Sequence, residues 1–511
     1  MPPKVLVIAG SDSSGGAGIE ADQRVLTAHG VYSLTATTGL TAQNTLGVQD
    51  IHIIPAEFVR KQINAALDDV GADVVKLGML SSAETVDVIA EELTRHAVKT
   101  IVLDPVMVST SGSRLLPSNA VEHVRTRLLP LTAVLTPNIP EAQLLLENAG
   151  ISFTEPQNID EMITLAKQVH TLGSKAVLLK GGHLPLTSDR KKAKSANEAR
   201  VVIDVLYSAD NEDVFLTETE FLTSKNTHGT GCSLASAIAA NLARGSDLKR
   251  SIRAAIKYVE AGIKSSVDMG QGSGPINHFH SFYMLPFAPG QFVDYVLSRE
   301  DIQPIWHKFT DHDFVTGIGN GSLPVEKFKD YLVQDYLYLV HFARSNALAS
   351  YKARSMDSIA ASAKIVLHIK TETALHVNYC ASFGLTLQEM EATPEKQACV
   401  AYSRYILDIG QSEDWLALQV ALAPCLIGYG AIARRLHDDT KNTISGKDGN
   451  RYWKWIENYT ADDYVDAVRT GSELLESHMQ KVSPSRMEEL IGIFKKATEL
   501  EIGFWEMGLG V

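Results

Sequence analysis

As far as residue 264 the chain alternates between short apolar runs and helical patterns; beyond residue 294 the short runs stop. Residues 5–9, 74–77, 101–103, 134–135 and 176–179 have the length and bulk of buried strands, while 56–70 and 83–96 repeat apolar residues at helical spacing. Such alternation predicts crossover units and an α/β domain with a mostly parallel sheet flanked by helices. Ligands of such a sheet gather outside the carboxyl ends of its strands. Those ends carry the stretch after Ala9, then Asp104, Asn138, Lys180 and the turn over 226–235. Leu248, Ile252, Ala255, Val259 and Ile263 mark a long amphipathic helix. Residues 201–216 predict a hairpin, preceded by a lysine-rich solvated loop over 189–200. From Asp294 on, the patterns over 325–344, 357–383, 398–409, 415–436 and 461–480 predict an all-helical domain of about ten helices. Pro286, Pro289 and Gly290 interrupt an aromatic run between the halves, so the expected division is 1–283, a linker over 284–293, and 294–511.

A net charge of −13 argues against nucleic acid or an anionic membrane as partner. Residues 5–9 are too short for a signal peptide, and no apolar run approaches membrane-spanning length. Cys232, Cys380, Cys399 and Cys425 are scattered without metal or disulfide spacing, which points to a reduced, cytoplasmic protein.

The stretch Asn226-Thr-His-Gly-Thr-Gly-Cys-Ser-Leu-Ala235 sets Gly229 and Gly231 among small hydroxyl residues just before an apolar helical pattern. Unpaired N–H groups and the positive dipole end converge at such a helix start, which can hold an anion and stabilise a transferring phosphoryl group. The same residues also suit an ordinary cap by Thr230 or Ser233. In the glycine-rich loop over 9–22, Gly16-Ala-Gly18-Ile-Glu-Ala21 matches a loose dinucleotide fingerprint. The acidic residue that fingerprint needs is absent from 37–43, and no Gly-Lys-Ser/Thr follows, so both nucleotide motifs are excluded. Asn138 and Glu141, before a helix, also fit a capping box.

In the second half Asp335, Tyr338 and Phe342 share a helix face, as do Cys425 and Tyr429, and as do Glu501, Phe504 and Trp505. Aromatic stripes of this kind are usually core. A carboxylate buried among them is costly unless paired, which singles out Asp335 and Glu501. Pro424, just before Cys425, should disturb its helix.

The motifs over 9–22, Thr41-Ala-Gln-Asn-Thr45, Lys76-Leu-Gly-Met79, Thr136-Pro-Asn-Ile-Pro-Glu141, Lys180-Gly-Gly-His183, 227–232 and Gly274-Pro-Ile-Asn-His-Phe-His280, in this order, resemble hydroxymethylpyrimidine/phosphomethylpyrimidine kinase, a branch of the ribokinase-like fold. The resemblance covers residues 1 to about 283 and implies two phosphorylations of 4-amino-5-hydroxymethyl-2-methylpyrimidine with ATP and Mg²⁺. It implies that Gln43 reads the aminopyrimidine edge, that Asp22 and the glycine loop hold the hydroxymethyl side, and that Met79 packs on the ring. Asn138 and Glu141 would organise Mg²⁺ and the phosphates, with Glu141 as the metal ligand, and Gly229, Thr230 and Gly231 would bind phosphate. Lys180 would neutralise the transferring group. Cys232 stands where many ribokinase-like enzymes place an aspartate base, and a helix N-terminus would lower its pKa.

Gly317-Ile-Gly-Asn-Gly-Ser-Leu-Pro324, 331–342, 372–376, Ala401-Tyr402-Ser403, Leu422-Ala-Pro-Cys425 and Glu501-Ile-Gly-Phe-Trp505 resemble TenA-type thiaminase II, a haem-oxygenase-like helical bundle in which no haem is expected. This resemblance implies hydrolysis of thiamin or aminopyrimidine fragments of it, with Cys425 as nucleophile and Glu501 moving protons. Asp335 would hold the amino and ring nitrogens, and Tyr338, Tyr402, Tyr429 and Tyr459 would wall the pocket. The expected partners are therefore small aminopyrimidines and thiamin, and both families imply a homo-oligomer. His278 and His280 are expected to be structural. The competing reading is a pyridoxal-type kinase fused to a non-catalytic helical binding or assembly module; Cys232 argues against it.

Overall fold

A computed structural model of the protein describes residues 2–107, 116–208, 213–441 and 449–510, apart from the side chains at 361, 368, 371, 372, 375, 440 and 441. The chain forms two compact units, Met1–Phe282 and Tyr283–Val511.

In the first unit one nine-stranded sheet has the order β3-β2-β1-β4-β5-β6-β7-β8-β9. Its strands are β1 (Lys4–Asp12), β2 (Tyr32–Asn44), β3 (Gly47–Ile53), β4 (Val74–Leu77), β5 (Ile101–Leu103), β6 (Val134–Leu135), β7 (Ala176–Leu179), β8 (Val201–Ser208) and β9 (Asp213–Glu220). β2, β1, β4, β5, β6 and β7 run parallel. Antiparallel strands close both ends: β3 beside β2, and the expected hairpin β8–β9 beside β7, its turn at 209–212 outside the described residues.

Eight helices of this unit are α1 (Gly18–Ala28), α2 (Ala56–Asp69), α3 (Ala83–Arg95), α4 (Ser118–His123), α5 (Ile139–Asn148), α6 (Ile159–His170), α7 (Thr230–Ala243) and α8 (Leu248–Lys264). Strand alternation divides them between two faces. Val5, Val7 and Ala9 of β1 pack with α1, α7 and α8, whereas Leu6 and Ile8 pack with the layer containing α2, α3, α5 and α6. Strand order reverses between β1 and β4, so a crevice opens beyond their carboxyl ends, at Gly10–Asp12 and Gly78–Met79.

The second unit has no strand among its described residues. Its helices are α9 (Phe292–Ser298), α10 (Gln303–Thr310), α11 (Asp313–Gly319), α12 (Val325–Lys352), α13 (Met356–Ala381), α14 (Leu387–Ala392), α15 (Gln397–Ser412), α16 (Trp415–Lys441), α17 (Trp453–Thr460), α18 (Asp462–Met479) and α19 (Pro484–Leu509). They surround one aromatic-rich core that includes Phe309, Phe314, Tyr331, Tyr402, Tyr429 and Trp505.

Three expectations change. The linker expected over 284–293 is partly built into this unit: the Glu476 carboxylate accepts from the N–H groups of Phe292 and Val293, starting α9 and burying Phe292. Pro424 does not break its helix, which runs unbroken as α16. One segment, Trp415–Asp439, does have the length and apolar content to cross a membrane, contrary to the sequence expectation; 67% of its most apolar window is buried inside the bundle, as in a soluble core helix.

Candidate active sites

In the first unit a cavity of about 700 Å³ lies over the crevice. Gln43, Met79, Asn138, Glu141, Lys180, Gly229, Thr230, Gly231 and Cys232 all line it. These residues come from five separate stretches of chain, and only the sheet brings them together.

The turn before α7 is built for close approach. Gly229 has φ of +79°, and a Cβ there would lie 1.9 Å from the Gly16 carbonyl oxygen, so only glycine fits. The side-chain cap considered for α7 does not form. Thr230 Oγ1 instead donates to Thr227 O at 3.0 Å, and Ser233 Oγ pairs with His278 Nε2 at 3.0 Å. The N–H groups of Gly231 and Cys232 therefore have no protein acceptor among the described residues and sit on the cavity wall. His278 thus serves structure, with Tyr258 donating to its carbonyl.

Across the cavity Lys180 Nζ donates to Asp104 Oδ1 at 2.7 Å and lies 3.7 Å from Glu141 Oε2. Burial opposes the Lys180 charge, but Asp104 and Glu141 hold its pKa above the ordinary lysine value. Burial pushes Glu141 up to about 7, against the pull of Lys180. The capping box is present as well: Asn138 Oδ1 accepts from Glu141 N, and Glu141 Oε2 accepts from Asn138 N, each at 2.8 Å. The cap uses only Oε2 of Glu141, and Asp104 is bonded through Oδ1, so Glu141 Oε1 and Asp104 Oδ2 have no hydrogen bond among the described residues. Two such carboxylate oxygens suit Mg²⁺, which binds through one or two carboxylates plus phosphate and water. No group of three or more potential ligands forms a closed metal site among the described residues.

Asp22 is a correction. It does not line the cavity; it is fully buried beneath it, accepting from Lys76 Nζ at 2.7 Å and from Ser236 Oγ at 2.7 Å. The helical phase of α1 turns it toward the sheet rather than toward a ligand. Lys76 is what reaches the cavity floor, and Asp22 and Asp104 keep it charged against its burial. Cys232 is a second correction: burial, with Asp22 and Asp104 adding, outweighs Lys76 and the Gly18 N–H, raising the thiol to about 11 instead of lowering it.

Sequence reasoning gave no role to Asp12, Lys76 and His228, and marked Asp104 only as a strand-end residue. His228 Nε2 lies 2.8 Å from Asp12 Oδ2 and 3.2 Å from Gln43 Nε2, a pairing across 216 residues that no local pattern signals. Val202, Phe221, Leu222, Ile256, Val259 and Ile263 form an apolar end of the cavity suited to a flat ring.

In the second unit Asp335 and Tyr338 of α12, Tyr402 of α15, Cys425 and Tyr429 of α16, and Glu501 of α19 converge on the core. Tyr402 donates to Glu501 Oε1 at 2.7 Å, and the Cys425 thiol lies close enough to influence the same carboxyl group. Burial raises Glu501 to about 8 despite the Tyr402 bond and the nearby thiol. Burial, with Glu501 and Asp335 adding, pushes the Cys425 thiol well above its usual value. Asp335 is also raised by burial, against His376 and Tyr331, whose contacts favour its charge. His376 Nδ1 lies 3.7 Å from it.

The rings of the site pack on one another. Tyr338 and Tyr402 stack with centroids 4.9 Å apart, and Tyr429 packs against Trp505 and Tyr459 at 5.3 and 5.1 Å. The Tyr338 hydroxyl is buried beside Tyr402 and Cys425 without a partner in hydrogen-bond geometry. Tyr459 stands at the margin, also bordering a separate 220 Å³ pocket with Gly430, Tyr464 and Val468. Tyr331 was missed, although it precedes Asp335 by four residues and so shares its face. The side chain of Glu372, in the 372–376 motif, lies outside the described residues.

Comparison with known proteins agrees with this division. A family model described as phosphomethylpyrimidine kinase matches residues 12–277, and one described as TENA/THI-4/PQQC matches 299–510. A putative hydroxymethylpyrimidine/phosphomethylpyrimidine kinase of Schizosaccharomyces pombe is 42% identical over 505 residues, covering 99% of this chain and 90% of its own. A hydroxymethylpyrimidine/phosphomethylpyrimidine kinase of Saccharomyces cerevisiae is 32% identical over 545 residues, 99% of this chain and 95% of its own. A thiamine biosynthesis multifunctional protein of Corynebacterium glutamicum is 29% identical, over 99% of this chain and 67% of its own. With its mixed sheet, its glycine turn at α7 and its helical second unit, the chain belongs to the phosphomethylpyrimidine kinase family, in the form that carries a TENA/THI-4 domain behind the kinase.

Proposed function

We propose that the first unit phosphorylates 4-amino-5-hydroxymethyl-2-methylpyrimidine, and then its monophosphate, at the expense of ATP. The observation that carries this reading is one cavity holding a ring-recognising end (Gln43, Met79) and a phosphate-handling end (Lys180 with the N–H groups of Gly231 and Cys232). The hydroxyl oxygen of the substrate attacks the γ-phosphorus as the bond to the β-phosphate oxygen breaks. Charge on the moving group is met by Lys180 and by the uncapped helix start. Asp104 and Glu141 would hold Mg²⁺, which when bound screens the phosphates. A thiol near 11 is a weak base at neutral pH, so Cys232 contributes less than the N–H groups around it.

We further propose that the second unit hydrolyses thiamin or its aminopyrimidine fragments to the same hydroxymethylpyrimidine. Glu501 as carboxylate takes the Cys425 proton, the sulfur adds to the electron-poor ring, and the substituent on the exocyclic carbon leaves with the ring electrons. Water then replaces it and the sulfur departs with its proton restored. Asp335 anchors the amino and ring nitrogens, and Tyr338, Tyr402 and Tyr429 enclose the ring. The buried Cys425–Glu501–Tyr402 line supports this over a purely structural bundle, since a carboxyl group so buried is costly without a task.

Incubation of the whole chain with ATP, Mg²⁺ and the pyrimidine alcohol, followed by mass spectrometry, should yield the mono- and diphosphate. Thiamin alone should yield the alcohol and thiazole. Absence of phosphorylated pyrimidine would refute the first assignment, and intact thiamin together with intact aminopyrimidine analogues would refute the second.

A further inference from the structure

Gln43 ends a buried polar chain that begins at Asp12. Asp12 Oδ1 accepts from Ser14 N at 2.9 Å and Ser14 Oγ at 2.8 Å; Oδ2 accepts from Ala17 N at 2.9 Å and meets His228 Nε2 at 2.8 Å. Every neighbour of this carboxylate is a donor. Burial works to raise Asp12, yet the bonds from His228 and Ser14 leave it below its usual value. An ionised carboxylate only accepts, so His228 carries its proton on Nε2, toward Asp12.

A ring nitrogen that carries a proton cannot accept one. The Gln43 atom 3.2 Å from His228 Nε2 must therefore be the amide oxygen, the two ends of an amide being interchangeable in shape. The other end of the amide then meets Thr41 Oγ1 at 3.1 Å as N–H donor, while Thr41 gives its own proton to Ser11 O at 3.0 Å. In this orientation the one Nε2 proton, given to Asp12 Oδ2, can be shared with the amide oxygen, and one amide N–H is given to Thr41 Oγ1. The opposite one sets an NH₂ against an N–H and a carbonyl against a hydroxyl oxygen whose proton is already committed. His228 cannot swing away: it is buried, its backbone N–H donates to Gly274 O at 3.1 Å, and Gly16 packs against its ring with no room for a Cβ.

We propose that His228, held by Asp12, is the positioning residue that fixes the polarity of Gln43 and thereby the orientation of the pyrimidine. This rests on the pyrimidine kinase reading above. Gln43 is left with an acceptor on the His228 side and a donor on the Thr41 side. A 4-aminopyrimidine offers an amino donor and the N3 acceptor, so the amino group lies toward His228. Carbon 5, which bears the hydroxymethyl group, adjoins the amino carbon. The reactive hydroxyl is thus carried toward His228 and the Gly229–Cys232 turn that follows it. A reversed ring would present the unreactive 2-methyl group there instead. A 4-oxo ring, with an acceptor oxygen and an N3–H donor, has the wrong polarity and is refused.

The test is kcat/KM for the 4-amino substrate against its 4-oxo analogue. Mismatch at two hydrogen bonds predicts a preference of about 100-fold or more in the native enzyme. His228→Ala and the isosteric Asp12→Asn each release the amide to turn, and the ratio should fall at least about tenfold, mainly through KM for the amino substrate. His228→Gln, which retains a donor toward Asp12, should recover most of it. Calorimetric binding of the two rings without ATP reads the same ratio where turnover is slow, and Asp12→Asn carries the test if the alanine protein does not fold. If both substrates lose rate equally and the ratio holds, His228 is only structural and the proposal is wrong. If the native enzyme phosphorylates neither ring, it is the kinase reading that fails.

Discussion

The two units each place one cysteine at the centre of a site, and the surroundings differ. Cys232 sits at the start of α7, lined up with uncapped N–H groups and with Lys76 beneath it, in a cavity that opens between a ring-binding end and a charged end. Cys425 is in mid-helix, among tyrosines and two carboxyl groups, with no lysine or arginine among the influences on its thiol. Both thiols are raised by burial. In the first site positive charge is gathered for a phosphoryl group that passes by, and the thiol is incidental to that charge. In the second a buried carboxyl group stands beside the sulfur, the neighbour that the proposed covalent attack needs. Placement of the neighbours, more than the cysteine itself, separates the two chemistries.

The sharpest way to break this contrast is Cys425→Ser. Thiamin hydrolysis should fall by at least about 10³-fold while pyrimidine phosphorylation stays at the native rate. Retained hydrolysis would remove the nucleophile. Lys180→Ala should cost about 10³-fold in both phosphorylations and leave hydrolysis intact, measured by product formation from each substrate. Loss of both activities together would mean that the sites are not independent.

Glu501→Gln should lower hydrolysis by about 10²-fold. In the native protein hydrolytic kcat/KM should rise as pH increases through about 8, because the carboxylate is the form that takes the thiol proton; the glutamine variant should lack that limb. The same shift gives a stability signature. The folded-state pKa of Glu501 lies above the unfolded value, so its contribution is intact below about 4.3 and is lost as pH rises to about 8. Glu501→Gln should therefore raise the melting temperature of the helical unit more at pH 8.5 than at pH 4.5. The smallest effect is expected for Cys232→Ser, about tenfold in phosphorylation, since the N–H groups and Lys180 remain. A loss as large as that of Lys180→Ala would make Cys232 an obligatory base.

Much of this was legible in the residues. Buried strands such as Val74–Leu77 and Ile101–Leu103 are apolar throughout and announce themselves, and so do long helices such as α12 and α16. β2 and β3 do not: as the end of the sheet they expose much of their surface and are rich in threonine and glycine, without a clean alternation. Site residues on one helix face, such as Asp335 with Tyr338, follow from phase alone. Asp22 misled because its place next to the glycine loop suggests a ligand, while its helical phase buries it against Lys76. Asp12 and His228 were invisible because only the folded sheet joins positions so distant.

The central claim is that one unit makes the substrate of the other. Supplying thiamin, ATP and Mg²⁺ without free pyrimidine, and following pyrimidine diphosphate by mass spectrometry, tests it in one vessel. The native chain should make the diphosphate, and the Cys425→Ser chain should make none until the pyrimidine alcohol is added. Diphosphate formed from thiamin by the Cys425→Ser chain, or none formed from thiamin by a native chain that does phosphorylate the supplied alcohol, would contradict the account.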